Sequence, residues 1–184
     1  MEHFLECHRH ALEFFGGTPG VILIDNLKTG VLSHPHGERA RFHPRYLDFA
    51  AHYGFEPRAC NVRKANEKGR VENFVGYVKK NFLAGLELPG SLGAMNTAGR
   101  QWLDTVANVR LHAETRQPPA ERFAALEKPA LRPLPLLPAD TSVIRTVRVT
   151  NRCRIVLDTN RYSVPALYAS QQLTLHAFAG RLCL

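Results

Sequence analysis

The sequence has 184 residues, 45% of them apolar and 22% charged, which is typical of a globular chain of one domain or of one domain with a small module. Its longest aliphatic run, Val21 to Ile24, is far shorter than the roughly 20 residues that span a bilayer. The segment that starts with Met1–His3 has neither the basic nor the apolar part of a signal peptide. These features argue against a membrane protein and a secreted one. With 24 Lys and Arg against 16 Asp and Glu, the formal net charge is +8, which suits a polyanionic partner, although an ordinary basic surface gives the same sum.

The cysteines and histidines give no complete metal site. The four cysteines lie far apart with no paired spacing, which argues against a zinc knuckle or a disulfide framework and agrees with the reducing cytoplasm, where we expect the protein. Two histidine pairs could contribute metal ligands, but neither has the spacing of a complete ligand set. These pairs are His8 with His10 and His34 with His36.

Helices and strands alternate in the first part of the chain. Apolar residues at helical spacing predict a helix over residues 2–15, which a run of glycine and proline then ends. Val21 to Ile24 predict a short strand, apolar on both faces and therefore buried inside an α/β sheet. A second helix is predicted over 44–53 and a second strand over Phe55–Cys60. Because Pro57 lacks the N–H group that a central strand uses, this second strand should lie at an edge.

The rest of the chain changes from a helical to a strand pattern. Long helices are predicted over 65–84 and about 92–110. Six of the 12 prolines fall between Pro118 and Pro138, which predicts a short helix followed by an extended connector. From about residue 140 the pattern predicts a small all-β module. Its strands include Ile144–Val149 and Gln172–Phe178, with a turn at Asp158–Asn160 between two shorter strands.

Asp25 is the first candidate functional residue. It comes directly after the first predicted strand, at the edge where functional groups gather in open α/β sheets, and Asn26 and Lys28 follow it. An aspartate that begins a turn after a strand has the same position. Both alternatives stay open at this point.

Glu72 is the second candidate. It lies in the helix predicted over 65–84, beside an apolar stripe that we expect to face the core. Its own face of the helix carries two glycines, and each interior glycine costs about 1 kcal/mol relative to alanine, so a close approach by a backbone or a ligand is one reason to keep them. The alternative is a surface glutamate with ordinary charge contacts to lysines. The face holds Lys68, Gly69, Gly76 and Lys79, and the stripe holds Val71, Phe74, Val75, Val78 and Phe82.

The charge around Glu72 favours a nucleic-acid site. Between Arg58 and Lys80 there are seven basic residues against two acidic ones, Glu67 and Glu72, so the local charge is +5. Cations hold a DNA backbone, while carboxylates hold the divalent metal ions that activate water or a 3′ hydroxyl for attack on a phosphodiester. A merely solvated face would usually intersperse both signs of charge.

Several segments together resemble the integrase core of DDE transposases, and in more detail the large, IstA-type transposase of two-gene bacterial insertion sequences. The first is VILIDNLKTG, from Val21 to Gly30, and the second is Lys68-Gly69-Arg70-Val71-Glu72 with Lys79 seven residues after the glutamate. Residues 160–165, NRYSVP, resemble the small carboxy-terminal β-barrel of that family. The similarity covers nearly the whole chain, with further agreement at Phe14–Gly17, Trp102, Asn108–Arg110, His112 and Arg122–Phe123.

The resemblance implies an α/β, partial RNase H-like core followed by a small barrel-like module. It implies Mg²⁺-dependent cleavage and strand transfer of DNA, with two Mg²⁺ held by three acidic residues, of which Asp25 matches the second and Glu72 the third. It also implies a homo-oligomer on transposon ends and target DNA, and an AAA+ ATPase helper protein. The residues that match DNA contacts are Asn66, Lys68, Arg70, Lys79 and Lys80.

The chain departs from the family pattern at its beginning, because no strand bearing the first aspartate precedes the helix over 2–15. We therefore expect a fragment that performs no strand transfer alone, since two of three carboxylates cannot hold both metal ions. The predicted parts are the carboxy-terminal part of the integrase core (1–88), a helical and proline-rich segment (89–139) and an incomplete β module (140–184).

Two other interpretations stay open. The chain could be a non-catalytic DNA-binding protein that uses the basic stretch 58–80 and the arginines of the β module. It could also be a basic domain with no nucleic-acid role. Retention on DNA that weakens steeply with salt would count against the last of these.

Overall fold

The computed structural model describes residues 1–61, 65–87 and 90–184, with the backbone alone for residues 65–68 and 70. The chain is an α/β protein that divides into two compact units, a larger one of residues 12–135 and a smaller one of residues 1–11 and 136–184. Helix α1 (Glu2–Phe15) contributes to both, which confirms the first predicted helix. In these described ranges, no helix has the length and apolarity that crossing a membrane requires. The predicted boundaries at residues 88 and 139 stay predictions.

A pair of parallel strands lies at the start of the larger unit. Strand β1 (Val21–Ile24) pairs with β4 (Glu56–Ala59), in the register Ile24 with Ala59, as expected for the two strands predicted there. Between them the chain forms a small antiparallel hairpin and a helix. These elements are β2 (Val31–Ser33), β3 (Arg41–Phe42) and α2 (Pro44–Tyr53).

Helix α2 packs an aromatic face against the strands. It begins where the His43 side chain accepts a hydrogen bond from the Arg45 amide, and it ends at Gly54, whose φ of 75° lets the chain turn without a Cβ clash. Its buried side chains meet Phe55 at the start of β4, with ring centroids of Tyr46 and Phe55 5.9 Å apart. Burial raises the pKa of Tyr46, since the charged phenolate would lose its hydration.

The burial predicted for β1 is wrong. Ile24 is buried, but Leu23 is 50% exposed and Val21 is also exposed, so part of this apolar strand is uncovered. The reason is that, within the described residues, β1 belongs to a sheet of two strands, which leaves part of its surface without a covering layer. An apolar strand in a sequence predicts a buried environment but does not say which segment provides it.

The glycine-rich segment after α1 is shaped by a contact with the proline-rich connector. Thr18 and Arg132 exchange two backbone hydrogen bonds, of 2.8 and 2.9 Å, and Thr18 is fully buried. A Cβ on Gly17 would lie 2.7 Å from the Leu131 Cβ and 2.9 Å from the Arg132 carbonyl oxygen. Gly17 is therefore required by the close approach of this distant segment.

The remainder of the larger unit is helical. Helix α3 (Ala65–Val78) continues as a π-helical turn over Lys79–Leu83, and α4 (Leu92–Trp102) continues as another over Leu103–Ala107, so both long helices predicted from the sequence are confirmed. The Ser91 hydroxyl begins α4 by accepting a hydrogen bond from the Ala94 amide at 3.2 Å. The short α5 (Pro119–Arg122) and its helical continuation to Ala130 precede the extended connector.

The smaller unit holds the predicted all-β module. It contains a three-stranded antiparallel sheet in the order β5-β8-β9 and a β6-β7 hairpin, and within the described residues these strands do not close into a barrel. Asp158 and Thr159 have φ values of 46° and 70°, which is the turn geometry that suits a two-residue hairpin. The core consists of Val149, Ile155, Leu157, Val164 and Leu175. The strands are β5 (Val143–Arg148), β6 (Arg154–Leu157), β7 (Asn160–Ser163), β8 (Gln172–Ala177) and β9 (Leu182–Cys183).

A polar contact joins helix α1 to the segment before β5 within the smaller unit. Glu6 forms an ion pair with Arg9, and one of its oxygens accepts a hydrogen bond from the buried Thr141 hydroxyl at 2.8 Å. Mainly because of the hydrogen bond from Arg9, the pKa of Glu6 falls to about 2. The charged form of Glu6 thus stabilises this unit.

We expect Gly17→Ala to destabilise the protein by about 1–3 kcal/mol, because the new methyl group would have to displace Leu131 and the Arg132 backbone. Urea denaturation measures the loss. Gly93→Ala in α4 is the matched control, since a Cβ there meets the Ser91 hydroxyl oxygen at an ordinary 3.9 Å. An equal loss in both variants would contradict the close contact.

The Glu6 contact also predicts a pH dependence. A carboxyl group whose pKa is lowered on folding adds stability that is complete above its unfolded pKa and disappears as the pH falls through its folded pKa. For Glu6 this window extends from about 4.5 down to about 2. We expect Glu6→Gln to lower the free energy of unfolding at pH 7 by about 1–2 kcal/mol, with the difference shrinking below pH 4. Denaturation between pH 2 and pH 7 tests this, with the exposed Glu121→Gln as control, and a difference that does not depend on pH would contradict it.

Candidate metal and DNA site

Asp25 lies where β1 ends. Its side chain is exposed, and its Oδ1 accepts a hydrogen bond from the Asn26 amide at 2.8 Å. Its carbonyl oxygen accepts one from the Leu27 amide at 2.7 Å, so the chain turns sharply after the strand. A turn therefore begins at Asp25, as one alternative for this residue predicted, and the Asp25 carboxylate lies where the two parallel strands end.

Asn26 ties the carboxyl ends of β1 and β4 together. Its Nδ2 donates to the Cys60 carbonyl oxygen at 2.8 Å, and the Cys60 amide donates to the Ile24 carbonyl oxygen at 2.9 Å. Because the Asn26 amide nitrogen is used in this way, its Oδ1 is the acceptor that faces the His34 Nδ1, at 2.8 Å. His34 therefore carries its proton on Nδ1. Asn26 and His34 were both singled out from the sequence, but their contact was not predicted.

Glu72 lies on an exposed part of α3. Its helix does not bury the apolar stripe as predicted, since Val71 is 63% exposed and Phe74 and Val75 are also exposed. Lys79 and Lys80 are exposed in the turn that follows the helix. The side chains of the other predicted DNA contacts, Asn66, Lys68 and Arg70, lie outside the described residues.

The two glycines of α3 have no packing role within the described chain. A Cβ built on Gly69 or Gly76 meets no atom within 4 Å. The close approach that the sequence predicted is therefore not made by a backbone segment of this chain in the described residues. The prediction that stays open is a close approach by a ligand to the face of α3 that carries Gly69 and Gly76.

An aromatic cluster fixes the end of α3 that carries the lysines. The Trp102 ring lies 5.5 Å from Tyr77 and 5.4 Å from Phe82, measured between centroids. The Arg110 guanidinium lies 4.1 Å from the centre of the Tyr77 ring, and it also donates to the Ala107 carbonyl oxygen. Trp102 and Arg110, which belong to the segments that resemble the transposase family, thus pack against the end of α3.

The metal site itself stays a prediction. In the ranges that the structure describes, no three His, Cys, Asp or Glu side chains form a group that could hold a metal ion. The convergence of Asp25 and Glu72 on one metal site likewise stays a prediction. Among the histidine pairs, His8 Nδ1 lies 2.8 Å from the Phe4 carbonyl oxygen, and burial lowers its pKa.

The β module presents unpaired arginines. Arg154 and Arg161 lie on the outward face of the β6-β7 hairpin. Arg154 precedes the core residue Ile155, and Arg161 pairs with Val156, whose own neighbours in β6, Ile155 and Leu157, point into the core. Arg148 and Arg152 are exposed as well, and within the described residues none of these four makes an ion pair. By contrast, Arg145 pairs with Asp158 at 3.1 Å, and Arg181 lies 4.6 Å from the centre of the Phe178 ring.

Comparison with known proteins gives a consistent set of relatives. Residues 134–184 match the family model described as Mu transposase, C-terminal domain. The chain is 37% identical over 174 residues to the transposase for insertion sequence element IS21 of Pseudomonas aeruginosa, covering 95% of this chain and 44% of the relative. It is 36% identical over 143 residues to the putative transposase for IS5376 of Geobacillus stearothermophilus, covering 78% and 34%. It is 33% identical over 181 residues to the transposase for insertion sequences IS1326/IS1353 of Shigella flexneri, covering 98% of this chain and 35% of the relative.

The chain is therefore homologous, over most of its length, to transposases of insertion sequences. Its homologues are transposases of the IS21 family, which confirms the resemblance recognised in the sequence. The chain spans less than half the length of these curated relatives.

Proposed function

We propose that the chain is the DNA-binding part of an RNase H-like, DDE-type transposase core, in which Asp25 and Glu72 are two of the carboxylates that hold Mg²⁺. The observation that carries the proposal is the similarity to transposases over 95% of the chain, combined with the position of Asp25 where two parallel strands end. That edge of an open α/β sheet is where ligands bind.

The donor set suits Mg²⁺. This ion takes oxygen ligands and is usually held by one or two carboxylates together with water and substrate phosphates, so a pair of exposed carboxylates is sufficient as the protein's share. Both Asp25 and Glu72 are exposed and lie in the larger unit. When bound, Mg²⁺ would supply the Lewis acidity that activates water or a 3′ hydroxyl and stabilises the leaving oxygen.

The chain's own residues would orient the DNA. Asn26 and its two side-chain hydrogen bonds restrain the turn that bears Asp25, so that the carboxylate keeps its place relative to both strand ends. Lys79 and Lys80 would hold phosphates, and the Trp102 cluster would fix the helix end on which they lie. The face of α3 that carries Gly69 and Gly76 has no side chain at these two positions, so a DNA backbone could come close to Glu72 there.

The partners follow from the same proposal. The substrates would be transposon ends and target DNA, bound by a homo-oligomer in the bacterial cytoplasm with an AAA+ ATPase as helper. The predicted three-part division at residues 88 and 139 belongs to this proposal as well.

We expect Mg²⁺ to strengthen binding of the chain to duplex DNA, because it offsets the repulsion between the two carboxylates and the phosphates. Fluorescence anisotropy of a labelled duplex, with Mg²⁺ or with EDTA, measures the effect. The double variant Asp25→Asn with Glu72→Gln should bind equally well or better in EDTA and should lose the gain from Mg²⁺.

The matched control removes two other exposed carboxylates of the larger unit, with Asp104→Asn and Glu121→Gln. It should keep the gain from Mg²⁺. An equal gain in the wild type and both double variants would overturn the assignment of Asp25 and Glu72. DNA binding without any effect of Mg²⁺ would favour the second candidate function, a non-catalytic DNA-binding protein, which the unpaired arginines of the β6-β7 hairpin support.

The glycines of α3 offer an independent test. We expect Gly76→Ala to raise the free energy of unfolding by about 0.5–1 kcal/mol, as glycine-to-alanine changes inside helices do, because no atom obstructs the new methyl group. If DNA approaches this face, the same variant should bind DNA more weakly. Gly93→Ala in α4 serves as the control that should leave DNA affinity unchanged. A stabilised Gly76→Ala variant with undiminished affinity would show that DNA does not use this face.

A further inference from the structure

The turn after Asp25 and the β2-β3 hairpin together form a basic segment that follows Asp25 directly along the chain. The assigned DNA contacts do not include this segment. Residues 26–43 carry Lys28, Arg39 and Arg41 against the single acid Glu38. The three cationic side chains are exposed, and in the part of the chain that the structure describes no carboxylate pairs with any of them. Their charge is therefore available to a partner from outside the chain.

Backbone hydrogen bonds hold this segment close to the end of β1. The amides of Gly30 and Val31 both donate to the Leu27 carbonyl oxygen at 2.9 Å, which forms a compact turn around Lys28 directly after Asp25. The His43 amide donates to the Gly30 carbonyl oxygen at 2.9 Å and closes the base of the hairpin. Ser33 pairs with Arg41 across the two strands. Lys28 and Arg41 thus belong to hydrogen-bonded parts of this segment, and Arg39 lies two residues before Arg41 in the connection between the two strands.

His34 fastens the hairpin to the candidate site. It directly follows β2, and its Nδ1 donates to the Asn26 Oδ1, while the Asn26 side chain donates to the end of β4. One asparagine therefore restrains Asp25, the strand ends and the hairpin together. A group that contacts the hairpin is brought to the same edge as the Asp25 carboxylate.

We infer that Lys28, Arg39 and Arg41 form a contact surface for the DNA sugar-phosphate backbone, which His34 holds at the edge where Asp25 lies. The inference rests on the proposed function and adds a substrate-positioning surface to it. Its physical reason is that a phosphodiester brought to a carboxylate is repelled, so a site of this kind needs cations close by that no protein acid already neutralises.

The test compares the salt dependence of DNA binding in EDTA, so that metal binding plays no part. The logarithm of the affinity of wild-type chain for a labelled random-sequence duplex should fall linearly with the logarithm of the KCl concentration, with a slope of about −0.9 for each phosphate neutralised. In the variant Lys28→Gln, Arg39→Gln and Arg41→Gln, the slope should become smaller in magnitude by about 2–3, and affinity at low salt should fall at least tenfold.

The matched control removes three other exposed cations of the larger unit, with Arg116→Gln, Arg122→Gln and Lys128→Gln. Circular dichroism and thermal denaturation establish that both triple variants are folded. The control should keep the wild-type slope within about one unit. Equal slopes for the hairpin variant and wild type, or equal reductions in both triple variants, would overturn the inference. If the wild type itself does not bind DNA, the proposed function fails and the inference fails with it.

His34→Ala tests the fastening independently of charge. Amide hydrogen exchange over residues 31–42 should become faster in this variant, and DNA affinity should fall while the salt slope of the wild type is kept, because no permanent charge is removed. His34→Gln, which retains a donor for Asn26, should restore part of the protection. Unchanged exchange in His34→Ala would show that the hairpin does not depend on His34.

Discussion

The parallel pairing of β1 with β4 is the constraint on which the candidate site depends. Parallel neighbours end at the same edge, so the pairing brings the turn after Ile24 next to Cys60, which lies far along the chain. The reciprocal bonds between Ile24, Asn26 and Cys60 can form only in this register. Helix α2 supports β4, because Tyr46 and Phe49 of its buried aromatic face pack against Phe55, directly before that strand. The position of Asp25 thus depends on strand pairing and on aromatic packing elsewhere in the larger unit.

Local signals predicted the elements of the fold well. Proline fixes the backbone at the first turn of α2, and glycine after its end adopts the left-handed conformation freely. The turn predicted at Asp158–Asn160 contains Asp158, a residue type that tolerates positive φ, whereas the positive φ of Thr159 has no such local signal. Local signals of this kind depend on a few neighbouring residues. They are therefore visible in the sequence without knowledge of the tertiary structure.

The predictions that failed concerned burial. Periodicity identifies the apolar face of a strand or a helix, as in β1 and α3, but it cannot say whether the chain contains the segment that covers that face. Gly17 shows the same limit in another form. This position has no room for a Cβ atom because Leu131 and Arg132 lie against it, and no rule of local sequence connects those residues to Gly17. Likewise, the residue types at Asn26 and His34 were visible in the sequence, but their contact required the hairpin to fold back over the strand end.

The charge of the chain acquires meaning only when the partner of each cation is known. A net charge of +8 alone does not separate a DNA-binding surface from an ordinary basic one. Several arginines in the structure are used internally, because Arg9 pairs with Glu6, Arg58 with Glu56 and Arg145 with Asp158. These pairs cancel in the sum, so the positive excess comes from other residues. Among the described cations without a carboxylate partner are Lys28, Arg39 and Arg41 at the hairpin, Lys79 and Lys80 after α3, and Arg148, Arg152, Arg154 and Arg161 in the β module.

This division of the cations bears on how the chain would bind DNA. An ion-paired arginine must exchange one anion for another, whereas an unpaired one loses only its hydration and gains a phosphate, so the unpaired cations contribute most of the counterion release that drives association. Many of them lie in three segments, although others, such as Arg116 and Lys128, lie elsewhere in the described chain. Two of these segments carry or adjoin a candidate carboxylate, Asp25 for the hairpin turn and Glu72 for α3. Under the proposed function, the cations of these two segments are the ones that would offset the repulsion between a phosphodiester and the nearby carboxylate.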